Sequence, residues 1–170
     1  MRTERLKDIE DAEFFCRKWV RDVVQRCRKE SGITTFETKS GYGLDVATES
    51  RSLAIAAKHT SETTFLGAHV VPQEFKERGE NGADEYVELV KNEMLSAAAP
   101  HAKWIDVFCD RGAFNVEQAR EILQAGINAG LAPRIHANQL ENIGAIQLAV
   151  ELDCASADHC THLRSEEHTS

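Results

Sequence analysis

The chain has 170 residues, 42% of them hydrophobic and 28% charged, with a formal net charge of -8 at neutral pH. That length suits one domain with a real core, and that composition belongs to a globular protein rather than a disordered or fibrous one. The acidic balance argues against a nucleic-acid partner, which ordinarily demands a basic stripe, and no apolar run reaches the length of a membrane span.

The charged opening, MRTERLKDIEDAEFF, has no signal-peptide core, so a cytoplasmic location is expected. The cysteines Cys16, Cys27, Cys109, Cys154 and Cys160 form no CxxC pair, which points to reduced thiols rather than a disulfide scaffold or a zinc ribbon. Ile9, Ala12, Cys16, Trp19, Val20, Val23 and Cys27 recur every three or four positions and predict an amphipathic helix ending before Gly32. ITTFET then reads as a strand. Asp45 is placed to cap a helix with Leu53, Ala56 and Ala57 on its buried side. TTFLGAHVV is again strand-like, and Tyr86, Val87, Leu89, Val90, Met94 and Leu95 predict a helix stopped near Pro100. WIDVFC is the third strand. Asn115 with Gln118 has the form of a capping box, opening a helix through Ile122, Leu123 and Ile127 that Gly130 closes. The strand RIHA, a helix through Ile146, Leu148 and Val150, and a last strand-like run, CASADH, complete the series.

Helix and strand thus alternate five times at the spacing of βαβ units, which predicts a parallel sheet with no internal domain boundary. Each apolar run ends in a residue able to do chemistry: Tyr42, His69, Asp110, His136 and His159 in turn. In parallel α/β folds the strand C-termini share one face, and active sites are built there. A lone strand-end histidine is ordinarily a hydrogen-bonded structural residue, but three at equivalent ends weaken that reading. Asp110 reads equally well as the start of a loop. SGYGLD has two glycines able to cradle a phosphate, yet Val46 stands where a dinucleotide fingerprint needs its third glycine. His59 and His101, near helix ends, are read as solvated surface, and His162 as loop. Imidazole is the commonest transition-metal ligand, and His136 and His159 supply one or two of the three that a catalytic zinc requires.

KSGYGLD, TFLGAHVVP, DVFCDRGAF, HANQL and SADH, in this order and spacing from Gly32 to Leu163, closely resemble the imidazolonepropionase family of amidohydrolases. The resemblance implies a (β/α)8 barrel of which this chain carries strands two to six. It implies metal-dependent hydrolysis of the cyclic amide of 4-imidazolone-5-propanoate to N-formimidoyl-L-glutamate, in histidine degradation, with one zinc or iron (Zn2+ or Fe3+) ion. It makes His136 a metal ligand, Tyr42, His69 and Gln139 substrate contacts, and His159, with His69, a catalytic residue near the metal. Gln139 replaces a glutamate found in some members, and an amide cannot ionise. The partner implied is the small-molecule substrate, with no nucleic acid or membrane, and a homodimer of the full-length protein is allowed. The family's HxH pair, its propanoate-binding arginine and its last metal-ligand aspartate are expected outside this chain, which is therefore expected to be an inactive fragment with two aggregation-prone sheet edges. A heterocycle deaminase and a non-catalytic remnant are the competing readings. RSEEHTS, Arg164 to Ser170, resembles a translated sequencing-library adapter, so residues 1–163 are assigned to the barrel domain and 164–170 to a non-native tail.

Overall fold

A computed structural model describes residues 22–163, apart from 24, 25, 27 and 28. Most of the helix expected from Ile9 to Cys27 lies outside the described residues, as does the tail from Arg164. The expected stop is present, because residues 29–31 are helical and Gly32 takes a left-handed φ of 65°. No described helix is long and apolar enough to cross a membrane.

The strands are β1 (Glu37–Lys39), β2 (Glu62–Ala68), β3 (Trp104–Cys109), the two-residue β4 (Ala132–Pro133), β5 (Ile135–Ala137) and β6 (Ala157–His159). Every pairing is parallel. The order β1-β2-β3-β5-β6 follows the sequence, with β4 adding a short pairing to β3, so each strand lies beside its predecessor as in an unrolled barrel. The helices between them are α1 (Val46–Ala56), α2 (Gln73–Lys76), α3 (Gly82–Leu89), α4 (Leu95–Ala98), α5 (Val116–Asn128) and α6 (Ala145–Glu151). A π-helical turn, Val90–Met94, joins α3 to α4, and a 3-10 turn, Ala99–His101, ends that run where Pro100 removes a backbone donor.

Both capping signals are realised. Asp45 accepts from the Thr48 amide at 2.8 Å, and Asn115 with Gln118 forms a reciprocal capping box on α5. The core lies between the sheet and its helices, where Phe65, Ile105, Val107 and Ile135 meet Leu53, Met94, Ile122, Leu123 and Leu148. α5 can lie flat on β3 because Gly126 has no side chain, and a Cβ there would come 2.5 Å from Ile105.

Three expectations need correction. The first strand covers only Glu37–Lys39, since pairing begins at Glu37 opposite Glu62, and Ile33 is exposed. Ala57 falls past the end of α1 and is exposed, and Ile55 is buried in its stead. Val150 faces solvent, because the buried stripe of α6 runs through Ala145, Leu148 and Ala149.

Candidate active site

Strand alternation sends Ile105, Val107 and Cys109 toward the helices and leaves Trp104, Asp106 and Phe108 on the opposite, concave face of the curled sheet. The same alternation brings in Glu37 and Lys39 from β1, Thr64 from β2, Arg134 and His136 from the fourth βα unit, and Asp158 from β6. These side chains bond to one another. Thr64 donates to Glu37, and Arg134 pairs with Glu37 at 2.9 Å while its guanidinium stacks 3.9 Å over Trp104. The Lys39 ammonium reaches Asp106 at 2.7 Å and Asp158 at 2.9 Å. Burial by itself lowers the Lys39 pKa, but Asp106, then Asp158 and Glu37, outweigh it and hold the ammonium above the ordinary lysine value. Burial by itself raises the Asp158 carboxyl, and the Lys39 ammonium, together with Arg134, more than reverses that to a value below the ordinary aspartate range.

At the C-terminal rim, rings from successive strand ends stand in a row. Tyr42 meets His69 edge to face at 5.4 Å, His69 lies 6.2 Å from Phe108, Phe108 6.1 Å from His136, and His136 5.2 Å from His159. Tyr42, His69, His136 and His159 are therefore gathered at one rim. Alternation alone would turn His159 toward the helix side with Ala137, its register partner. Instead the backbone leaves the extended region at His159, with φ 72°, and the ring lies beside His136.

At the end of the third strand, the loop reading of Asp110 is the one that holds. Asp110 is buried at 2% exposure, and its carboxylate accepts from the backbone amides of Gln139 (2.7 Å), Leu140 (2.9 Å) and Arg111 (2.7 Å). It shapes the HANQL loop, and Phe108 takes its place in the row of rings. Gln139 is thus fixed through its backbone, with its side chain half-buried. Its neighbour Asn138 adopts φ 49° and buries an amide that has no hydrogen-bond partner among the described residues.

The phosphate cradle in SGYGLD is filled by the chain itself. Glu49, 1% exposed, accepts from Gly41 (2.7 Å), Gly43 (2.8 Å) and Leu44 (2.9 Å), so the amides that would hold an anion already hold one. Gly41 is required there, with φ 105° and a would-be Cβ 2.6 Å from the Leu66 carbonyl oxygen. That loop also accepts from His69, whose Nδ1 lies 2.9 Å from the Gly41 carbonyl oxygen. A carbonyl can only accept, so Nδ1 carries a proton, and in the neutral imidazole the lone pair falls on Nε2. His59 and His101 are half-buried at helix ends that precede strands, at the opposite end of the sheet, and His162 is exposed in a turn.

Asp106, His136 and Asp158 offer ligand atoms that all lie within 4.8 Å of one another, an arrangement able to take up a metal ion. The middle of that cluster is held by the Lys39 ammonium, which bonds to both carboxylates. The donor that remains is Nε2 of His136, with Asp158 Oδ2 3.9 Å away.

An open parallel segment with imidazoles and a phenol gathered at its C-terminal rim defines the class: a partial (β/α) barrel. No family model matches the chain. Curated relatives do. It is 63% identical over 135 residues to an imidazolonepropionase of Streptomyces coelicolor, covering 78% of this chain and 33% of that protein. It is 61% identical over 133 residues to one of Mycolicibacterium smegmatis, at 78% and 33% coverage. It is 56% identical over 147 residues to one of Salinispora arenicola, at 85% and 36%. The chain spans about a third of the length of these relatives, and over that stretch it belongs to the imidazolonepropionase family.

Proposed function

We propose that this chain forms strands two to six of an imidazolonepropionase barrel, and that the whole protein hydrolyses the cyclic amide of 4-imidazolone-5-propanoate to N-formimidoyl-L-glutamate in the cytoplasm. The observation that carries the reading is the row of rings from Tyr42 to His159 along one rim. Tyr42 and His69 are the substrate contacts, with the phenol and His69 Nε2 available to orient the ring and to meet charge as it develops. Phe108 gives an apolar wall between His69 and His136. Gln139 serves as a hydrogen-bonding contact only. His136 is the metal ligand through Nε2, and the donor set suits one zinc or iron ion whose other ligands come from sequence beyond this chain. When bound, such an ion supplies Lewis acidity and lowers the pKa of coordinated water toward neutrality. His159, 5.2 Å from His136, is the group that moves protons beside it.

Grafting residues 32–163 into the Streptomyces coelicolor relative in place of the matching segment tests this. The graft should release N-formimidoyl-glutamate, and His159→Ala should cost about 10²–10⁴-fold in kcat/KM. Ammonia release from an aromatic amine would assign a deaminase instead. A folded, metal-loaded graft without turnover would overturn the reading.

A further inference from the structure

Asp106 stands inside the apolar run WIDVFC, and its side chain is fully buried. It faces two partners. Its Oδ2 takes the Lys39 ammonium at 2.7 Å, and its two oxygens lie 3.0 and 3.1 Å from Nδ1 of His136. An ionised carboxylate only accepts, so Nδ1 of His136 must carry a proton for the contact to be a hydrogen bond. A neutral imidazole protonated on Nδ1 presents its lone pair on Nε2. Free imidazole side chains favour the opposite tautomer, so the protein sets this one.

We infer that Asp106, itself held by Lys39, is the positioning residue of the site: it fixes the tautomer and ring plane of His136 so that Nε2 faces the rim as a donor. The inference deepens the proposed function, since it rests on His136 being the metal ligand. Carboxylate, histidine and metal in series is a recurrent way of fixing ligand orientation, and loss of the outer carboxylate typically weakens metal binding about 10–100-fold. Lys39 completes the device. It is also bonded to Asp158 and is 3.6 Å from Glu37, so the carboxylate of Asp106 is pinned from the first and last strands of the sheet at once. Both oxygens of Asp106 thus face groups that hold it in place, Oδ2 the Lys39 ammonium and His136, and Oδ1 His136.

Long-range 15N–1H NMR of the 170-residue chain reads the tautomer directly, with the His136 signals assigned by their loss in His136→Ala. The expected result is the Nδ1–H pattern for His136 in the parent chain. The pattern should persist in Asp106→Asn, which keeps an acceptor, and should move toward Nε2–H in Asp106→Ala. Zinc titration of the graft carrying the same substitutions should show affinity falling about 10–100-fold in Asp106→Ala and being substantially restored in Asp106→Asn. An Nε2–H pattern in the parent chain overturns the inference without any variant, as does an Asp106→Ala spectrum identical to the parent. If instead the graft with His136→Ala binds zinc as tightly as the unsubstituted graft, the ligand assignment under the proposed function fails, and the tautomer result stands or falls separately.

Discussion

On β3, Ile105, Val107 and Cys109 point to the helices and are at most 1% exposed, while the residues between them, Trp104, Asp106 and Phe108, face the concave side and contact Arg134, Lys39 and the histidines. The helix side is aliphatic and its stability comes from area removed from water. The concave side is an alternation of charges whose partners come from different strands, so each position there is fixed by pairing. One strand thus serves two ends, folding on one face and positioning on the other.

The largest expected effect tests that division. Phe65, fully buried on the helix side, should cost about 3–5 kcal/mol as Phe65→Ala, measured by urea unfolding. Phe108→Ala, on the half-buried concave face, should cost about 1 kcal/mol or less and instead weaken zinc or substrate binding in the graft. Equal losses of stability would erase the distinction. Next comes Glu49→Ala, which strands the amides of Gly41, Gly43 and Leu44 and should cost about 2–3 kcal/mol. Unlike Phe65, its loss should also loosen the loop bearing Tyr42, seen as faster hydrogen exchange across residues 41–44.

The helix side was the legible one. Periodicity and caps located the helices, and strand-end chemistry located Tyr42, His69, His136 and His159, because one-letter patterns record what lies along the chain. Asp106 and Lys39 were invisible for the converse reason. Asp106 sits in a run that reads as core, and its role depends on Lys39 and Asp158, which are 67 and 52 positions away in sequence and are brought together only by the register of three strands. Asp110 was left open between loop and site, because a strand-end aspartate that shapes a loop and one that serves a substrate look alike in one dimension, and only its bonds to the HANQL amides decide. Glu49 could have been found, since a glycine-rich turn followed by an acidic residue in the first turn of a helix is itself an anion-and-nest signal.

A pH series sharpens the comparison further. Burial pushes the Cys109 thiol up to about 12, whereas an unfolded thiol ionises near about 8.5. A group whose folded pKa is raised contributes stability that is complete below the unfolded value and lost as pH climbs toward the folded one. Stability should therefore fall from about pH 8.5 upward, by about 2 kcal/mol at pH 10 from this group, and Cys109→Ala should flatten that limb. Smaller again are the caps. Asp45→Ala and Asn115→Ala should each cost about 1 kcal/mol without altering the rim.

The smallest expected effect on folding belongs to Tyr42, and it is the one that separates the two faces most cleanly. The side chain is 86% exposed and leans only its ring edge on His69, while the loop beneath it is held by Glu49 through backbone amides. Its position is therefore set by its neighbours, and removing the hydroxyl should not disturb them. Tyr42→Phe is expected to leave the urea midpoint unchanged and, in the graft, to lower kcat/KM about 5–10-fold, the scale of one hydrogen bond to a neutral group. A shifted midpoint would mean the phenol has structural work after all, and unchanged kinetics would remove Tyr42 from the substrate's surroundings.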